Sequence, residues 1–170
     1  MDKKLEPIVK AVQAKFGATL EEFRDEAHLF VKPEQIVEAL TFLRDEQNFE
    51  LLSALTAVDY YPQETPRFHV IYQLTSIAKN LSVQVRVPVN GSSPKVQTAT
   101  RVFESANWRE RELLDMFGIE IEGHPDPRRI LMPEGTEGHP LRKDFPLGYE
   151  EPQFTFNFDE INLQKPYAKE

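Results

Sequence analysis

Leu81, Val83, Val85 and Val87 alternate strictly with Ser82, Gln84 and Arg86. Successive side chains of an extended strand point to opposite faces, so this segment must bury one face and wet the other. The segments around it suit the same sheet. Phe68, Val70, Tyr72 and Leu74 alternate with polar or smaller neighbours, and Leu51 to Tyr60 is largely apolar, as a central strand would be. Residues 19–31 read as two short strands with a turn at Asp25-Glu26 and with Leu29 and Val31 on one face. Helical spacing brackets these strands. Leu5, Ile8, Val9, Val12 and Phe16 form one stripe ended by Gly17, and a second helix is expected from Pro33 to about Asn48 through Ile36, Val37, Leu40 and Leu43. Asn90-Gly91-Ser92-Ser93-Pro94 breaks the alternation, and a short helix is expected from about Lys95 to Phe103. Two helices and about five strands before residue 104 predict an α+β fold: a two-layer sandwich with a mixed sheet and helices on one face.

The chain has 170 residues, enough for one core. Residues 1–117 are read as the α+β domain, 118–148 as a loop region and 149–170 as an extended tail. The loop region holds five of the seven glycines and five of the thirteen prolines, with no sustained period. A loop that long within a compact domain is functional or laid against something else. The tail carries Phe154-Thr155-Phe156-Asn157-Phe158, an alternating aromatic run that needs a sheet edge or a partner groove to cover it.

Composition removes whole classes of chemistry. Cysteine is absent, which excludes disulfides, thiolate-held zinc, iron–sulfur clusters and a cysteine nucleophile. Lys and Arg total 20 against 28 Asp and Glu, a net charge of −8, so nothing draws the chain to nucleic acid or to anionic lipid. There is no glycine-rich dinucleotide or nucleotide-triphosphate loop and no serine elbow. The N-terminus has no apolar leader and no run is long enough to span a membrane, so the chain is expected to face the cytosol unless a partner holds it at a membrane. Of the four histidines, His124 and His139, each followed by proline, are the only pair that invites a metal, with Asp126 as a third ligand. The simpler expectation is that each ring donates an N–H to a loop carbonyl and fixes the backbone.

One helix breaks the usual patterning. With Asn107 as N-cap and a helix from Trp108 to Phe117, Glu110 falls among Leu113, Leu114 and Phe117 in the middle of the apolar stripe. A carboxylate buried there must meet an arginine or backbone N–H groups, with Arg86, Arg128 and Arg129 as candidate partners. Trp108 and Met116 lie off that stripe, which suggests a second face built for burial. The loop that follows concentrates cations, Arg128, Arg129, Arg142 and Lys143, among stiff prolines; guanidinium groups there suit an interface.

Three blocks now stand in order: Trp108 to Ile119, containing Glu110-Arg111-Glu112, Asp115, Phe117 and Gly118; Glu122 to Leu131, containing His124-Pro125 and Arg128-Arg129; and Glu137 to Pro146, containing His139-Pro140-Leu141-Arg142-Lys143-Asp144. Together they closely resemble the 30-kDa subunit family of respiratory complex I, the NADH–quinone oxidoreductase. The resemblance implies a cofactor-free, non-catalytic member of the peripheral arm. It implies that NADH, FMN, iron–sulfur clusters and quinone belong to partner subunits, and that the chain packs against the quinone-site large subunit and iron–sulfur subunits. It places the chain at the cytoplasmic face of the inner membrane in a bacterium, bound to its partners and not inserted. By the same resemblance the signature helix and the loop's His-Pro blocks form the partner interface. Related subunits serve membrane-bound hydrogenases and complexes with other donors; the His139-to-Leu147 block favours the quinone-reducing kind. A stand-alone hydrolase on His124, Asp126 and His139, or a peptide-binding adaptor, are the competing classes.

Overall fold

A computed structural model describes residues 2–133 and 135–146. The first amphipathic stripe forms α1 (Glu6–Phe16), stopped by Gly17 at φ 64°. The hairpin that follows pairs β1 (Thr19–Phe23) with β2 (Glu26–Phe30). Its turn sits at Arg24 and Asp25, one residue earlier than expected, because both residues adopt positive φ as a tight primed turn requires. Pro33–Gln35 forms a 3₁₀ turn that leads into α2 (Ile36–Asp45). This helix ends three residues short of the expected Asn48. Asn48 itself is left-handed, and the Phe49 N–H reaches back to the Leu43 carbonyl.

Three long strands follow, β3 (Leu51–Asp59), β4 (Phe68–Ser76) and β5 (Leu81–Val89). The sheet order is β1-β2-β5-β4-β3, with β2 and β5 parallel and every other pair antiparallel, so the sheet is mixed as expected. The strictly alternating β5 occupies the centre. Leu20, Leu29, Val85, Tyr72 and Leu55 stand in register as one row across all five strands. Of these, Leu29, Val85 and Tyr72 have no exposed surface. The alternate row, Phe30, Arg86, Ile71 and Thr56, lies on the other face.

Two expectations fail here. Leu51 to Asp59 is an edge strand and not a central one. It is apolar because α3 (Ala106–Phe117) packs against it, and a strand's faces are covered by what packs on the sheet, not by the strand beside it. Lys95 to Phe103 does not form a helix. Lys95–Gln97 is a short strand, β6, paired in parallel with β7 (Glu120–Glu122), and only one turn closes after it, with the Val102 and Phe103 N–H groups on the Ala99 carbonyl. The Ala99 N–H is bonded to the Glu110 carboxylate, so it cannot serve a helical ladder.

The end of the sheet is closed by an ion pair that composition does not reveal. Arg67 donates Nε and Nη2 to the two oxygens of Asp59, both at 3.0 Å, and Nη2 also reaches Asp144 at 2.6 Å. The backbone N–H groups of Tyr61 and Lys143 complete the shell of Asp59. Burial pushes the Asp59 carboxyl up, but Arg67 and the two amides outweigh it and hold it below the ordinary range. Both members are about 5% exposed or less, so each depends on the other. Breaking one side of such a pair strands the other charge, so Arg67→Met is expected to cost about 3–5 kcal/mol in urea unfolding at neutral pH. A loss below about 1 kcal/mol would show that the pair is solvated and carries no such weight.

Candidate functional site

Helix α3 begins at Ala106 with Ser105 as N-cap, two residues earlier than the sequence suggests, and ends at Gly118 with φ 66°. The Gly118 and Ile119 N–H groups return to Leu114 and Leu113, which closes the helix in a Schellman-type turn. A Cβ on Gly118 would stand 2.4 Å from His139 Nε2 and 2.6 Å from Arg142 Nη2, so this position needs glycine for both its φ and its space.

Glu110 has no exposed surface, as the stripe requires. Its partners are not arginines. Oε1 accepts the Ala99 N–H at 2.6 Å, Oε2 accepts the Thr98 hydroxyl at 2.6 Å, and His124 Nε2 lies 3.7 Å away. Burial raises the carboxyl above its ordinary value, and the two hydrogen bonds and His124 only partly oppose that. Tyr72, fully buried nearby, has its phenol pushed up by the same desolvation.

Asp115 is the second buried carboxylate of α3, and patterning did not single out its burial. Its Oδ2 accepts three consecutive backbone N–H groups, Ile130 at 3.1 Å, Leu131 at 2.7 Å and Met132 at 2.9 Å. Arg129 Nε stands 3.5 Å from Oδ1. Burial acts to raise this carboxyl, but the three amides and Arg129 outweigh it and the net shift is down. Two carboxylates on one helix are therefore displaced in opposite directions.

The same contacts show what the long loop does. After β7 the chain returns to the first turn of α3 and then runs along the helix to its last turn. At the start, His124 Nδ1 accepts the Asp126 N–H at 3.0 Å, which leaves Nε2–H to donate to the Asn107 carbonyl at 3.1 Å. One turn on, Arg111 donates to the carbonyls of Arg128 and Arg129 at 2.9 and 3.0 Å. A turn further, Asp115 takes its three amides. At the end, His139 Nδ1–H donates to the Asp115 carbonyl at 2.9 Å and the Leu141 N–H to Met116. Arg142 then donates to the carbonyls of Phe117 at 2.5 Å and Gly118 at 3.3 Å, capping the helix dipole. Asn107, Arg111 and Asp115 recur every four residues, so they form one face of α3 and the loop is a strap along it.

The histidines thus bond helix carbonyls, not loop carbonyls. Their anchor points, Asn107 and Asp115, are eight residues apart, about 12 Å along a helix, so His124 and His139 do not converge on one ion. Among the described residues no three His, Asp or Glu side chains gather as a metal-holding group. Other expected site residues divide clearly. Arg129 is spent on the carbonyls of Thr136 and Gly138. Lys143 uses its backbone N–H on Asp59, and Asp144 its carboxylate on Arg67. Phe117 and Met116 are buried, whereas Trp108 is 59% exposed, so only part of the second face is covered. Glu112, Pro125, Arg128 and Leu141 are exposed, and Pro140 is half-buried. Phe154 to Phe158 lie outside the described residues.

Residues 29–151 match the family described as "Respiratory-chain NADH dehydrogenase, 30 Kd subunit". The chain belongs to this family. It is 50% identical over 151 residues to the C subunit of an NADH-quinone oxidoreductase from a Roseiflexus strain, covering 88% of this chain and 86% of that protein. It is 44% identical over 142 residues to the protein of the same name from Trichlorobacter lovleyi, covering 82% and 88%. Among solved structures, a trypsin-resistant fragment of Nqo5 superposes with a TM-score of 0.65 at 32% identity, covering 72% of this chain and 98% of the fragment. The family resemblance read from the three blocks is therefore borne out, and so is the α+β fold. A membrane-bound sulfane sulfur reductase complex contains a chain alike in fold, with a TM-score of 0.75 at 21% identity, covering 99% of this chain and 97% of that one. In this member of the family, Arg111, Asp115, His124, His139 and Arg142 of the signature hold the strap to α3.

The opposite shifts of Glu110 and Asp115 give opposite pH signatures. A carboxyl raised on folding stabilises below its unfolded value and loses that stability as pH rises through the folded value; a lowered one stabilises above its unfolded value and loses it as pH falls. Relative to Glu110→Gln, the parent chain is therefore expected to lose ground as pH rises through and above the ordinary carboxylate range. Relative to Asp115→Asn, it is expected to lose ground as pH falls through and below that range. Chemical denaturation of the three proteins across acid to neutral pH reads both slopes, and parallel curves would contradict the assignment.

Proposed function

We propose that this chain is a non-catalytic scaffold subunit in the peripheral arm of an NADH–quinone oxidoreductase. It supports electron transfer by docking on the quinone-site and iron–sulfur subunits at the cytoplasmic face of the membrane. In this reading NADH, FMN, iron–sulfur clusters and quinone are held by those partners. The observation that carries it is the accounting around α3: Glu110, Asp115, Arg111, Arg129, His124, His139 and Arg142 each have at least one polar atom bonded to this chain's own backbone. A general base or nucleophile needs a free reach to substrate, and these groups hold a surface in shape instead. The names of the relatives support the assembly. No helix among the described residues is long and apolar enough to cross a membrane, which suits a subunit held at the membrane by others.

A tagged chain isolated from detergent-solubilised source membranes is expected to bring NADH:quinone activity and iron–sulfur polypeptides with it. The same chain purified alone is expected to show neither activity nor flavin or iron–sulfur absorbance. A stoichiometric chromophore on the lone chain would overturn the reading.

A further inference from the structure

The strap does more than cover Asp115. Between it and α3 lies a hollow of about 380 Å³ lined by Arg111, Arg128, Arg129, Met132 and Gly135. Arg111 and Arg129 are fixed there by bonds to carbonyls, which orient a guanidinium without cancelling its charge. Among the described residues, the ion pairs of these three cations involve only two carboxylates, Asp126 and Asp115. Asp126 is shared by Arg111 and Arg128, and the pairing with Arg128 first and then Arg111 depresses it to about 2. Three cations against two carboxylates leave positive charge over among the described residues, in a chain that is otherwise strongly acidic. Beside the hollow the strap exposes Leu131 at 61% and Ile130 at 38%, and α3 exposes Trp108 on the adjoining flank. Ile130 and Leu131 cannot turn inward, because their N–H groups are committed to Asp115.

We propose that this hollow and its apolar margin form a docking surface for an acidic segment of a neighbouring subunit, one that sets a carboxylate against Arg111 and Arg128 and an apolar side chain against Leu131. Charge complementarity selects the occupant: the surplus positive charge of Arg111, held by carbonyls, and of Arg128, held on Asp126 through Nε and Nη2 at 2.6 and 2.8 Å, favours a carboxylate, and the exposed leucine and tryptophan favour a polypeptide over a small free anion. The proposal rests on the scaffold reading and narrows it to one surface. It also divides the expected interface. Arg128 and Trp108 face the partner, while Glu110, Asp115, His124, His139 and Arg142 act behind it as positioning residues.

Cysteine is absent from this chain, so an introduced thiol is unique within it and its crosslinks are told from those of the iron–sulfur partners by the peptide they carry. Leu131→Cys, carrying a thiol-linked photocrosslinker, is examined in the complex isolated from membranes. Ile77→Cys, at an exposed apolar position 68% accessible on the β4–β5 turn, is the comparison. Leu131→Cys is expected to link to another subunit through a peptide that carries Asp or Glu beside apolar residues. Adding Arg128→Glu, or the milder Arg128→Gln, is expected to lower that yield about tenfold and about threefold, with the melting temperature nearly unchanged because this side chain is 80% exposed. A link confined to this chain, residues 147–170 included, or a yield indifferent to both Arg128 variants, overturns the docking surface. If Ile77→Cys links to neighbours and Leu131→Cys does not, docking is elsewhere and the scaffold reading survives. If both thiols label freely and the chain sediments alone, both readings fail.

Discussion

The Asp115 carboxylate, sunk without exposed surface beside α3, is the constraint on which this part of the molecule turns. A buried carboxylate is costly unless its charge is compensated: three successive amides of the strap fill Oδ2, while Oδ1 accepts no hydrogen bond and faces Arg129 Nε at 3.5 Å. The requirement runs both ways. Those amides, drawn off any regular ladder, would themselves be unpaired without the carboxylate. Each charge-assisted bond of this kind is worth about 1.5–3 kcal/mol, enough to order a stretch that has no secondary structure of its own.

Glu110 repeats the arrangement on the core side of the same helix with a different outcome. It has one amide and one hydroxyl where Asp115 has three amides and a nearby guanidinium, so desolvation wins at Glu110 and loses at Asp115. One carboxylate thereby fixes the turn at Thr98 and Ala99, the other fixes the strap, and α3 is clamped between them. The Asp59–Arg67–Asp144 network then ties the far end of the strap to the sheet. Through these links a family signature that looks like a reactive cluster becomes a frame for an exposed strip of Arg128, Ile130 and Leu131.

Much of the sandwich was legible. Period-two burial in β4 and β5 and the stripes of α1 and α2 follow from local chemistry, since each element must hide an apolar face wherever it ends up. Errors fell where partners are remote. Leu51 to Asp59 read as central because apolarity reports that a strand's faces are covered, as α3 covers this one, without saying whether its edges are paired. Lys95 to Phe103 read as helical because nothing local shows that Glu110, eleven residues beyond Ala99, takes the N–H a helix would use. Asp59 and Arg67 drew no notice, although a charge closing an apolar strand and an arginine in a proline-flanked turn were visible signs.

Periodicity and motif order were enough for the α+β class, for every long helix and strand but not for Lys95 to Phe103, for the burial of Glu110 and, through three ordered blocks, for the family. These depend on periodicity and composition within a dozen residues or on motif order along the chain. Which atoms satisfy the buried carboxylates, that the histidines bond helix carbonyls about 12 Å apart, and which loop side chains stay exposed all follow from the folded arrangement. Hydrogen-bond partners are chosen by distances of a few tenths of an ångström between segments far apart in the chain, and no local pattern carries that information.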